Sequence, residues 1–392
     1  MEFFRQNRKI ILIALGAIVI ISLIYFFWPS TATPPPTGQI NLPSYVGPAE
    51  VVPSGEEAEF EATQKVYEEG IKTSLEDRLV QITNFPTISP SLDKNESKII
   101  YYKKDGGDMM SSDLNGKNQE KISHITIIGL LNAIWSPVRD RAAVFYLDQD
   151  ILKSFIQVGT SSISVLPQDI KDFSWAPDGR SALYTLRRGS LLDFSVSDSS
   201  GRNPKVIYST PLYDSLASFI TSDKIALQSA PSGLVEGSLF TFSRSNSLLS
   251  KVKSGVLGMT SLWSPDGSHF VMSRFDPTSR SSMLSVYNSA GGEVFITELA
   301  GTTYKCVWAS NQEVACAIPR IVSFGNIWPD DYLKGGFRTK DQVVQINVVK
   351  KEIYGVFSEP VFDMSDLIIT KNQEYLFWIN RSDGTLWSLK LK

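Results

Sequence analysis

The chain has 392 residues, of which 42% are hydrophobic and 20% charged, enough apolar material for a sizeable buried core in a soluble domain. Its 38 basic and 41 acidic side chains leave a formal net charge of −3, which argues against a nucleic-acid surface and against a strongly acidic tail. Only two histidines are present, too few for a His-rich metal site.

The first element in chain order is an apolar run from Ile10 to Trp28, broken only by Ser22. As a helix, 19 residues reach about 28 Å, close to the hydrocarbon thickness of a bilayer. Arg5, Arg8 and Lys9 precede it, and no further Lys or Arg occurs before Lys65. That asymmetry predicts residues 1–9 in the cytoplasm, a single transmembrane anchor over 10–28, and everything downstream outside the cell membrane. A cleaved signal peptide is the competing reading. Its apolar region is shorter and ends in small residues, whereas this run ends in Tyr25-Phe26-Phe27-Trp28.

Residues 29–53 carry seven prolines among Ser, Thr and Gly, a composition that buries no core and favours extended conformations. It reads as a stalk. Over 54–77 the pattern turns helical: Ser54 and Glu57 have capping-box spacing, and Phe60, Thr63, Val66 and Tyr67 share a face. This short segment is expected to lie on the domain that follows or to bind a partner.

From residue 78 to 392 one pattern recurs. In Leu262-Trp263-Ser264-Pro265-Asp266-Gly267, a strand ends in a tight turn, and His269-Phe270-Val271-Met272 begins the next strand. Pro presets φ, Asp bonds its own backbone, and Gly takes the positive φ. Ser174-Trp175-Ala176-Pro177-Asp178-Gly179 is a second copy, and Ile134-Trp135-Ser136-Pro137 a third without Asp-Gly. Val307-Trp308-Ala309-Ser310-Asn311, Ser218 to Leu227, Ile88-Ser89-Pro90 and Leu367 to Trp378 are worn copies. Seven units of about 45 residues with strand–turn–strand content predict an all-β, seven-bladed β-propeller of four-stranded antiparallel blades. The tryptophans are read as wedges between blades. Residues 78–83 are left over as a strand and the last unit is one strand short, so the two chain ends are expected to share blade seven.

The Trp-Ser-Pro-Asp-Gly hairpins resemble those of TolB-type propellers, whose repeats are relatives of the WD-repeat blade. The resemblance covers about residues 78 to 392. It implies the architecture and, by analogy, a binding or scaffolding role, since a fold alone does not fix a function.

No nucleophile elbow, zinc-protease motif, C-x-x-C or phosphate-binding glycine loop is present. His124 and His269 are isolated, and His269 lies in a repeat strand. No enzyme activity and no cofactor are expected on these grounds. Cys306 and Cys316 flank the sixth hairpin, so they stand either as a cross-strand bridge or as two free core thiols. Asn95-Glu96-Ser97 and Asn380-Arg381-Ser382 match the glycosylation acceptor pattern at a frequency near chance.

The sixth unit carries an insertion, Pro319 to Asp341, between its second and third strands. Loops on rigid scaffolds carry function, and interfaces favour Trp, Tyr and Arg. Trp328, Asp330, Asp331, Tyr332, Lys334, Phe337 and Arg338 are therefore the candidate contacts for a protein partner in the cell envelope. The alternative is that the insertion covers its own blade. Ala230 to Glu236 belongs to the same loop class in blade four and is expected to border the same surface. The expected function is a non-catalytic, membrane-tethered binding or scaffolding propeller that takes no nucleic acid. The alternative is a cell-envelope enzyme, or a glycan or small-ligand binder, using the central channel.

Overall fold

In the computed structural model the chain divides into two compact units, Met1–Thr63 and Gln64–Lys392. The described residues are 78–320, 325–358 and 362–392, all in the second unit. The expected anchor at 10–28, the stalk at 29–53 and the helical segment at 54–77 lie outside them. Among the described residues no helix is long and apolar enough to cross a membrane.

Seven four-stranded antiparallel sheets follow one another, so the seven-bladed propeller read from the repeats is the fold. Blades one to six span 87–126, 130–165, 173–210, 215–256, 260–300 and 306–357. Blade seven runs from Met364 to Lys390 and takes its outermost strand, Leu79–Gln81, from the start of the described chain. Leu79, Val80 and Gln81 pair with Leu389, Ser388 and Trp387, and Ile82 N donates to Leu386 O at 2.8 Å. The ring is thus closed by residues about three hundred positions apart, as the spare strand required.

The Ser-Pro-Asp-Gly turns do what their residue types dictate. Gly267 N donates to Ser264 O, the Asp266 carboxylate accepts from Ser268 N, and Gly267 has φ of 70°. A Cβ there would meet Ile220 of the preceding blade at 2.6 Å, so both conformation and packing select glycine. In the copy without glycine, Arg139 holds the positive φ and its guanidinium pairs with Glu96 of blade one. The Asn115-Gly116, Asp198 to Gly201 and Asn288 to Gly292 stretches, rich in turn residues, join third to fourth strands.

Seven apolar cores sit one at each blade–blade interface. The repeat tryptophans stitch these interfaces. The indole N–H of Trp135 donates to Ser89 O, that of Trp175 to Ile134 O, and that of Trp308 to Leu262 O, each in the preceding blade. Trp175 is 6% exposed and packs edge-on against Phe173. Trp175→Phe is expected to cost about 1 kcal/mol, the bond alone, and Trp175→Ala about 3–5 kcal/mol, read from urea unfolding.

The two faces of the disc differ in kind. The lower face carries the Trp-Ser-Pro-Asp-Gly turns and the turns between third and fourth strands. The upper face carries the loops from second to third strands and from blade to blade, and with them the mouth of the channel that the seven inner strands line.

Candidate functional site

The site is built where inner strands begin, at the upper mouth of the channel. A 3-10 turn, Thr303–Lys305, leads into the inner strand of blade six, Cys306–Trp308. At about three residues per turn the side chains of this segment fan around its axis, and Tyr304 stands 42% exposed while Thr303 and Lys305 are buried. Cys306 and Cys316 are register partners on the first two strands of the blade and form a disulfide, which decides between the two readings of that pair.

Lys305 is the hub of a buried charge cluster. Its Nζ donates to Asp341 Oδ2 at 2.6 Å, Thr339 Oγ1 at 2.7 Å and Asp363 Oδ1 at 2.8 Å, and lies 3.0 Å from Met364 O. Both carboxylates are fully buried. Burial pushes the Asp341 carboxyl above its ordinary pKa, and the Lys305 charge opposes that push. Arg381 Nη1 approaches Asp363 Oδ2 at 3.6 Å, and Arg338 Nε reaches it at 3.9 Å from the solvent side. The cluster joins blade six to blade seven directly beneath the insertion.

The insertion lies on the upper face as a strap. A single helical turn, Asp330–Leu333 (α1), is held at one end by its first carboxylate. Asp330 accepts from Ser232 Oγ at 3.0 Å and from Gly233 N at 2.6 Å, both in blade four. The expectation that the Ala230–Glu236 loop borders the insertion is met. Gly233 is required there, because a Cβ would lie 2.5 Å from Trp328 O. Trp328 stacks on Tyr332 at 5.3 Å between ring centres, takes the edge of Phe337 at 4.8 Å and packs on Phe275. Arg381 lies 3.9 Å over the Tyr332 ring and donates to Tyr332 O.

These positions revise the expected contact set. Trp328 and Tyr332 are 2% and 3% exposed and serve as the strap's own core, not as side chains offered outward. Asp330 and Asp331 are engaged as well, the second accepting from Ile327 N. Lys334 and Arg338 are exposed, and Phe337 is half-buried. The aromatic content that marked this loop as a contact surface is spent on holding it down.

Three groups on or just ahead of inner strands are missed by a reading of single residues. Asp172 precedes the inner strand of blade three, and its carboxylate accepts from Phe173 N and, across the blade boundary, from Ala217 N. Burial pushes its pKa up to about 6 against those two bonds. Asp366 lies on the bulged inner strand of blade seven with φ of 51°. It is open to solvent yet ringed by protein, as a channel-lining group must be, and that enclosure raises its pKa against the pull of Arg381. Tyr304 stands just ahead of the inner strand of blade six, where enclosure raises its hydroxyl pKa and the Asp172 charge adds to the rise.

The shift at Asp172 makes a pH prediction. The folded protein holds this proton more tightly than the unfolded chain, so the associated stability is full below about pH 3.8 and is lost as pH rises through about 6. Asp172→Asn should remove up to about 3 kcal/mol of that decline between pH 4 and 7. Parallel urea titrations of the two proteins would check it.

No protein-family model matches the chain, and neither does any curated protein. Solved structures do match by fold. An oligogalacturonate lyase in complex with manganese aligns with TM-score 0.57 at 13% identity, over 80% of this chain and 93% of its own. The oligogalacturonate lyase of Vibrio parahaemolyticus aligns with TM-score 0.55 at 10% identity, with the same two shares. TolB from Acinetobacter baumannii is also similar, with TM-score 0.42 at 13% identity, over 85% of this chain and 69% of its own. Such identities speak for the fold alone. They nonetheless overturn the expectation that the chain is no enzyme: the same propeller houses a lyase, so the fold gives no ground for excluding catalysis. Among the described residues no group of three or more His, Cys, Asp or Glu side chains is arranged to hold a metal ion.

Proposed function

We propose that the chain binds a small hydroxyl-rich ligand, a glycan or a fragment of one, in the mouth of its central channel, and acts on it there. The observation that carries this reading is the approach of Tyr304 of blade six to Asp172 of blade three, near enough for the Asp172 charge to act on its hydroxyl, with Asp366 exposed on the inner strand of blade seven. Carboxyl groups whose pKa is raised by enclosure hold a proton near neutral pH and serve as general acids, while a neighbouring carboxylate accepts one. Hydroxyl-rich ligands suit a mouth that also offers Ser89 and Asn132, which bond each other at 2.8 Å on blades one and two. Arg381 supplies a charge beside Asp366 for orientation.

In this reading the propeller is held outside the cell membrane by the 10–28 anchor and the 29–53 stalk. The Cys306–Cys316 bridge supports that placement, because disulfides persist in oxidising compartments. A panel of neutral and acidic oligosaccharides, screened by thermal shift and then by product analysis, tests the function. At least one should raise the melting temperature of the wild type but not of Asp366→Asn, and turnover of it should fall about 100-fold or more in Asp172→Asn. Equal shifts in wild type and both variants would refute a channel site.

A further inference from the structure

The inner strands of the seven blades are not equivalent. In blade seven Asp366 and Leu367 together stand opposite Trp378, and in blade one Ser89 and Pro90 together stand opposite Tyr101. In blade two Leu131 is the extra residue, between the Leu130 and Asn132 pairs. The inner strands of blades three to six run without such a bulge. The three bulged strands are neighbours around the ring. In blades seven and one the bulges correspond residue for residue: Asp366 and Ser89 are each the third residue of the strand, with φ of 51° and 52°. Bulges next to binding sites re-aim a side chain, and left-handed backbone at a non-glycine residue persists only where its surroundings or its function hold it.

Ser89 has a structural reason for its conformation. Its Oγ accepts from Ala133 N at 2.7 Å and donates to Asn132 Oδ1 at 2.8 Å, and its carbonyl accepts from the Trp135 indole, all in blade two. Asp366 has no such role. Among the described residues its carboxylate accepts only from the adjacent Ser365, at 2.9 Å, and it stands exposed. It is also the only charged side chain on the seven inner strands, which carry no Lys or Arg. The cations beside these strands are committed elsewhere: Lys305 to Asp341 and Asp363, and Arg381 to Tyr332 O. The bond from Ser89 fixes the Asn132 amide as well. With Oδ1 turned to Ser89, the Nδ2 donors of this exposed residue are left for another acceptor. This wall therefore offers an acceptor-only carboxylate and an amide donor. A hydroxyl both donates and accepts and so suits either, whereas an anionic ligand only accepts and meets Asp366 with like charge. We propose that the channel takes an uncharged, hydroxyl-rich ligand, a neutral sugar chain, bound through Asp366 and Asn132 on the wall of blades seven, one and two, and that it rejects acidic sugars. This rests on the channel reading above and adds to it the charge class of the ligand. The groove of about 640 Å³ between blades one and two takes no lining residue from an inner strand and is a separate feature.

Calorimetric titration of the full chain tests this, with β-1,4-linked tetramers of glucose, mannose or galactose, each in its neutral, uronate and 2-amino form. On at least one backbone the neutral form should bind at least tenfold more tightly than the other two. Asn132→Asp, which replaces the donor by an acceptor, should weaken that binding at least tenfold. The two left-handed positions should respond oppositely to glycine, which adopts that conformation freely. Asp366→Gly should melt no lower than the wild type yet bind the neutral form at least tenfold more weakly. Ser89→Gly, which forfeits the side-chain bonds to blade two, should melt lower. Equal or tighter binding of a uronate or amine form, lost in Asp366→Gly, would leave the channel site standing and overturn its charge class. Undiminished neutral binding in Asn132→Asp, or a lower melt for Asp366→Gly, would also overturn the proposal. Undiminished neutral binding in Asp366→Gly, or no binding of any form, would overturn the channel reading with it.

Discussion

Replacing Lys305 by alanine is expected to lower the free energy of unfolding by about 3–5 kcal/mol. The loss arises from what stays behind. Asp341 and Asp363 are fully buried and share the one ammonium, so its removal leaves Asp341 with no counter-ion and Asp363 with only the longer Arg381 and Arg338 contacts, both out of reach of solvent. Thr339 would still donate to Asp363, and Met364 N to Asp341, but neither bond carries a charge. Asp341 in such a place protonates rather than stays ionised, so the variant's stability should fall more steeply than the wild type's as pH rises. A triple replacement, Lys305→Met with Asp341→Leu and Asp363→Leu, should recover most of the loss, because a buried ion cluster is worth little against an apolar one of similar volume. Urea unfolding of the three proteins at pH 5 and 8 checks the set. A single-variant loss below about 1 kcal/mol would show that water reaches the cluster.

Deleting residues 78–83 should destabilise the propeller by at least about 4 kcal/mol and promote self-association. The segment supplies the outer strand of blade seven, and Ile82, 2% exposed, is part of the core between blades seven and one. Losing an aliphatic side chain from such a core costs about 2–5 kcal/mol by itself. The deletion also removes the Arg78 Nε bond to Lys390 O and the acceptor, Ile82 O, for Gln119 of blade one. It bares Leu386–Lys390 as an unpaired edge, which invites strand addition from another molecule. Ile82→Ala keeps the strand and separates the two effects: it should lose about 2–5 kcal/mol without associating. Sedimentation and thermal melts of both proteins test this, and an unchanged melting temperature after the deletion would contradict ring closure.

The fold was legible because its unit repeats. One Trp-Ser-Pro-Asp-Gly hairpin fixes a turn by local chemistry, and copies at propeller spacing fix the ring, including the strand borrowed from the other end. The site was far less legible. Asp172, Lys305 and Asp363 occupy like places, just ahead of inner strands beginning at Phe173, Cys306 and Met364, and aligning the worn repeats on those strands would have exposed them. Their meeting is a property of the closed ring, however, and no local spacing encodes it. The strap misled for a physical reason. Trp328, Tyr332 and Phe337 have the composition of an interface, but a strap long enough to fold back uses the same residues to bury itself.

The most direct test of the channel site is a crystal structure of the propeller soaked with whichever oligosaccharide gives the largest thermal shift. The ligand should lie at the upper mouth, within hydrogen-bond reach of Asp172 and Asp366 and against Tyr304. Density confined to the groove between blades one and two, or to the lower face, would contradict it.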